Sequence, residues 1–185
     1  MGQTACCCCA PMEQDTDLPN VDLPKVKVGK RGAQVNILVG ADGSMKVSGE
    51  GAVLADTVIE QDAAYWEVRV DEPGSACRVG VARDLNGMWL DSQIGEGEFS
   101  WALDKPLNKG DIVGVAFGQD DMPNLRFFVN GTPIEDASVK KVQGDVYPAV
   151  SMRGNAELSF MFEPELFKHQ PTTRHTEIRP PRKML

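Results

Sequence analysis

Gly2 and the run Cys6, Cys7, Cys8 and Cys9 are the residues whose types and spacing most plainly offer chemistry. Removal of Met1 frees the glycine amine, which can accept a myristoyl chain, and thiols beside a membrane can accept palmitoyl chains. A single myristoyl chain binds a bilayer only marginally, with K of order 10⁴ M⁻¹, so stable attachment takes a second signal. The cysteine run supplies it. The usual acylation pattern carries Ser or Thr at the sixth position, where this chain has Cys6. Chance cysteines in a small-residue tail and a metal cluster are the rival readings. Four adjacent thiols are poorly placed to converge on one ion, and His169 and His175 lie at the far end of the chain.

Other candidates are weaker. Cys77 has Arg78 beside it, which could lower its pKa, but a lone cysteine at the start of a strand reads as a packing residue. Asp120-Asp121 precedes Pro123 and reads as a solvated turn, without the spacing of a calcium loop. Gly49-Glu50-Gly51 and Gly95-Glu96-Gly97 lack the lysine and the following helix of a phosphate loop. Both histidines follow the folded region, which removes a Ser-His-Asp or Cys-His site. No catalytic residue, cofactor or metal site is expected. Trp89, with Met88, is the leading partner-binding candidate, because tryptophan is favoured at interaction hot spots; the alternative is a plug over the core. Arg83 and Asp84 close a strand that leads into the same loop and are placed near a binding rim.

The chain has 185 residues, 42% hydrophobic, with a net charge of −8. That length supports one domain with its own core. Residues 1–24 carry −4, residues 25–31 carry +4 and residues 165–185 carry +3, leaving −11 on residues 32–164. A field of that sign repels nucleic acid. The basic segments could touch an acidic membrane surface. Without a secretory signal or an apolar run of about 20 residues, the expected location is the cytoplasmic face of a membrane, through acyl chains. The Asn130-Gly131-Thr132 sequon then has a better use as a turn.

Residues 1–9 form the acylation segment and 10–33 a flexible linker, with Pro11, Pro19 and Pro24 and no period. The sandwich is expected over 34–164, followed by a basic, proline-containing tail over 165–185, with a short helix near Glu165–Lys168. Both tails are expected to be disordered. Within the domain, Val35–Val39 and Met45–Val47 flank an Asp42-Gly43 hairpin signal, and 49–62 reads as a loop. Trp66, Val68 and Val70 alternate onto one face, as do Val79 and Val81, and Leu158, Phe160 and Phe162. Trp66 and Trp101 read as core. Leu125–Val129 runs into Asn130-Gly131, a type I′ turn pair. Val146–Val150 is a strand whose Pro148 marks an edge or a bulge. About nine short strands separated by turns indicate an all-β, antiparallel sandwich.

These strands, in this order, resemble the SPRY domain family over about residues 35–163. The marks are Tyr65-Trp66-Glu67-Val68, Val79-Gly80-Val81-Ala82, Ser100-Trp101 before Asp104, Gly110-Asp111-Ile112-Val113-Gly114-Val115, Phe127-Phe128-Val129-Asn130-Gly131 and Tyr147-Pro148-Ala149-Val150. The resemblance implies a bent β-sandwich that binds a protein or peptide partner through loops at one rim and is generally not catalytic. The 84–98 loop, with Met88-Trp89-Leu90, is long for the pattern. No recruiting box or RING accompanies the domain, so the chain resembles a stand-alone SPRY protein. A membrane-tethered adaptor is the expected function. A structural part of a membrane-associated cytoskeletal assembly and a sugar-binding or enzymatic sandwich are the alternatives.

Overall fold

A computed structural model describes residues 25–86, 90–119, 122–170 and 174–181. The strands in chain order are β1 (Val28–Arg31), β2 (Gln34–Val39), β3 (Met45–Ala55), β4 (Ala63–Glu72), β5 (Ala76–Ala82) and β6 (Ser100–Ala102). They continue with β7 (Ile112–Gly118), β8 (Asn124–Val129), β9 (Thr132–Pro133), β10 (Val139–Lys140), β11 (Tyr147–Met161) and β12 (Thr176–Glu177). Pairing is antiparallel except between β12 and β4.

Two long strands organise the sandwich. β3 and β11 pair from Ala149↔Leu54 to Phe160↔Met45, and each exchanges its outer neighbour half-way along. The first half of β11 pairs with β5 and the second half with β4. β2 lies along the start of β3 and β1 along its end. One sheet therefore runs β1-β3-β11-β5-β6, the other β2-β3-β11-β4-β7-β8-β10. The strands bend between the sheets where Gly49 and Gly51 (φ 114° and 121°) face a register shift at Gly154 and Asn155 (φ 64° and 60°). A Cβ on Gly49 would lie 2.1 Å from the Gln34 carbonyl oxygen, so that position admits only glycine.

The core fills the space between the sheets. Trp66, Val68 and Val70 are fully buried on one face of β4, and Val79 and Val81 on β5. Leu158 and Phe160 face them from β11, with the Phe160 and Phe162 rings stacked at 5.1 Å. The expected alternation holds at each of these positions. The Asn130-Gly131 pair takes positive φ at both residues and joins β8 to β9 in a two-residue turn, with Val129 opposite Thr132. The Asp42-Gly43 hairpin also forms; Asp42 accepts bonds from the Ser44 N–H (3.0 Å) and hydroxyl (2.6 Å).

Several expectations change. The segment read as a loop from residue 49 is strand as far as Ala55, because a central position with ladders on both sides outweighs the weak β-propensity of glycine and alanine. The two strands expected at 146–150 and 157–162 are one, joined through Arg153-Gly154-Asn155. Pro148 stands at a local edge, as expected: it pairs with Val81 of β5 and precedes the β3 ladder, which begins at Ala149, so its missing N–H costs no bond to β3. Residues 28–31, within the expected linker, form β1 against the end of β3. Trp101 is half-buried, since β6 is a three-residue strand paired on one side only.

The described part of the expected C-terminal tail also packs on the sheet. A 3-10 turn at Pro164–Leu166 takes the place of the short helix. Beyond it β12 lies beside Ala64 and Tyr65 of β4, where the β11 ladder has ended at Glu67. Gln61 fastens it, donating to the Glu177 carbonyl (2.8 Å) and accepting from the Arg179 N–H (2.9 Å). Ile178 enters the core.

Candidate functional site

Arg83 and Asp84 stand at the end of β5, as the sequence suggests. The Arg83 N–H donates to the Phe99 carbonyl (2.8 Å), which closes the β5–β6 end of the sheet. Its guanidinium lies over the Phe99 ring, 5.4 Å from the centroid, in cation–π geometry. The same side chain runs against Gly144, where a Cβ would meet Arg83 Nε at 2.9 Å. Asp84 forms an ion pair with Lys30 of β1 (2.5 Å) and accepts the Asn86 N–H (3.2 Å), turning the chain into the following loop. Tyr147 completes this rim. Burial, followed by the charges of Asp84 and Asp145, pushes its phenol above the ordinary value, so it is a neutral hydrogen-bonding group at physiological pH. Phe99 is 42% exposed. A cation, a carboxylate and two aromatic rings thus meet at one end of the first sheet.

Residues 90–99 fold back over the outer face of that sheet. The Leu90 carbonyl accepts the Ala52 N–H at 2.6 Å. Glycines at 32 and 51 make room for it, since a Cβ on either would lie 2.8 Å from that oxygen. Ile94 is fully buried against Ala52, Leu54, Ala82 and Ala149, and its N–H donates to Ser151 Oγ (3.2 Å). Arg78 donates to the Ile94 carbonyl (3.1 Å) and pairs with Glu96 (3.3 Å) and Asp104 (3.2 Å). The loop has a plug of its own in Ile94. The sequence signal for it was one branched apolar residue among Asp, Ser, Gln, Gly and Glu, with alanines opposite it on strands whose other faces form the main core. Met88 and Trp89 lie outside the described residues, as do Gly2 and Cys6–Cys9.

Two further groups bear on chemistry. The Cys77 thiol is buried in the core, and that burial, with the Asp111 charge, pushes it above the usual thiol range, so it is a packing group and a poor nucleophile. Glu67 was not singled out by sequence reasoning. It is fully buried on the outer face of β4, beneath the C-terminal segment. Its carboxylate accepts the Tyr65 hydroxyl (2.9 Å) and the N–H groups of Lys168 (2.6 Å) and His169 (3.0 Å), while His169 Nδ1 lies 3.3 Å away. Phe167 packs edge-on against Tyr65 at 5.3 Å. These bonds fix the returning chain to the sheet. A Cβ on Gly114 would sit 2.4 Å from the Tyr65 hydroxyl, which explains a glycine inside β7. Among the described residues no three His, Cys, Asp or Glu side chains are grouped to hold a metal, and no helix is long and apolar enough to cross a membrane.

The backbone is similar to solved SPRY structures. A human SPRY domain matches with a TM-score of 0.55 and 21% identity, covering 71% of this chain and 99% of that one. The SPRY domain of human HERC1 matches at 0.50 and 15%, covering 69% and 94%. The TRIM65 PSpry domain matches at 0.57 and 13%, covering 76% and 94%. No family model and no curated protein matches the sequence. The fold is therefore an all-β SPRY-type sandwich.

Proposed function

We propose that this chain is a membrane-tethered protein-interaction module, an adaptor that binds a protein or peptide partner through the loops of a SPRY-type sandwich. The observation that carries the reading is the anchored segment over 90–99. Ile94 and the Leu90 carbonyl hold it on the sheet, while Phe99, Arg83 and the Lys30–Asp84 pair stand at its margin. A loop fixed in advance loses little freedom on binding. Arginine and aromatic side chains are the residues that dominate protein interfaces. Met88 and Trp89 directly precede that segment in the chain and are assigned to the partner contact. Acyl chains on Gly2 and on the Cys6–Cys9 run hold the domain at the cytoplasmic face of a membrane. Confinement there raises effective concentration, so a modest affinity is sufficient.

Proximity labelling from the intact chain tests both halves. The Arg83→Ala/Phe99→Ala variant is expected to lose a subset of labelled proteins and keep the membrane set. Replacing Cys6–Cys9 by serine is expected to lose the membrane set. Clickable myristate should label the wild type and not Gly2→Ala. Equal myristate labelling of the two removes the tether, and an unchanged protein set from the double variant removes the loop margin as the binding surface.

A further inference from the structure

At the other end of β5, away from Arg83, the sheet opens into a cleft of about 340 Å³ between the β4–β5 turn and the chain at Asp104–Leu107. The opening begins where a ladder stops. β6 pairs Ala82, Val81 and Gly80 with Ser100, Trp101 and Ala102, and the last bond is from the Leu103 N–H to the Val79 carbonyl (2.9 Å). Alternate residues of a strand present both main-chain groups to the same neighbour. Val79 faces β6, so Cys77, two residues earlier, turns its N–H and carbonyl towards the cleft. Gln93 supplies a further wall. It is only 8% exposed, and its Nε2 has no hydrogen-bond partner. A buried donor left unmatched costs free energy that an incoming acceptor recovers.

We propose that this cleft takes the main chain of a short extended peptide from the partner, seated against β5 where β6 has turned away. The peptide's N–H and carbonyl pair with the Cys77 carbonyl and N–H, and a second peptide carbonyl accepts from Gln93 Nε2. An extended chain offers donor and acceptor on one edge at the spacing that a strand edge requires. Arg78, Asp104 and Lys105 line the cleft, and both cations are already paired, Arg78 with Glu96 and Asp104 and Lys105 with Asp136, so recognition falls to the main chain rather than to charge. The inference rests on the protein-binding reading above and locates a second contact for it, separate from the Arg83–Phe99 margin.

The test uses the full chain and a phage-displayed library of random linear peptides. Gln93→Leu retains bulk and removes the donor. Because Nε2 is buried without a partner, the variant is expected to unfold at a midpoint no lower than the wild type's. Enriched peptides should bind Gln93→Leu at least tenfold more weakly and Gly43→Ala, in the β2–β3 hairpin outside both proposed surfaces, equally well. On the wild-type protein they should shift the Gln93 side-chain amide and the Cys77 backbone amide in ¹⁵N spectra, a readout that needs no variant. Enriched peptides that leave those two signals unmoved overturn the cleft and leave the interaction-module reading standing. Failure of any peptide to enrich also overturns the cleft as a peptide site, while the labelling experiment above still decides the module.

Discussion

At the scale of single residues, buried carboxylates mark where the chain closes on itself. Glu67 accepts three hydrogen bonds, two of them from the backbone of the C-terminal segment. Glu67→Ala leaves those donors without an acceptor, each a cost of about 1–3 kcal/mol if the site stays dry. We expect the variant to lose about 3 kcal/mol in urea unfolding and to become open to trypsin at Lys168. Unchanged cleavage would mean that β12 and Phe167 hold the segment unaided. Asp71 makes a different prediction. Burial alone would raise its carboxyl, but the Ser159 hydroxyl (2.5 Å), the Arg69 guanidinium (2.7 Å) and Lys46 hold it below the ordinary value. A carboxyl depressed in the folded state stabilises above its unfolded pKa of about 3.9, and the contribution vanishes as pH falls through the folded value. Urea midpoints taken downward from pH 6 should therefore fall less steeply in Asp71→Asn than in the wild type, with the two curves converging in acid.

At the scale of elements, what could be read in advance divides by the range of the signal. Trp66, Val68 and Val70 announced β4, and Asn130-Gly131 announced its hairpin, because period and turn chemistry are local. The continuity of β3 through Gly49 and Gly51, and of β11 through Gly154 and Asn155, was hidden because residues that usually end strands here bend them. β12 has two residues and pairs with a strand more than a hundred residues earlier, which no window of sequence reveals. The margin was half legible: Arg83 and Asp84 followed from a strand end, whereas Phe99 and Lys30 join them only through the fold. The bend itself can be tested. Gly49→Val puts a side chain into the Gln34 carbonyl and forces a branched residue into positive φ, and it should cost about 3 kcal/mol or abolish soluble expression. Gly43→Ala, at positive φ but with no atom within 4 Å of the added Cβ, serves as its control and should cost about 1 kcal/mol.

At the scale of the whole molecule, a domain that carries −11 over residues 32–164 and the proposed lipid anchor at Gly2 and Cys6–Cys9 have separable consequences. Changing Gly2 should move the protein between cell fractions without altering its melting temperature. The strands common to both layers carry the last consequence. Because β3 and β11 each belong to two sheets, neither layer can come away from the other without tearing its own middle. Such a protein should melt all-or-none. Amide hydrogens of Val53 in one sheet and Phe160 in the other should exchange with deuterium through one shared opening event, with the same dependence on added denaturant.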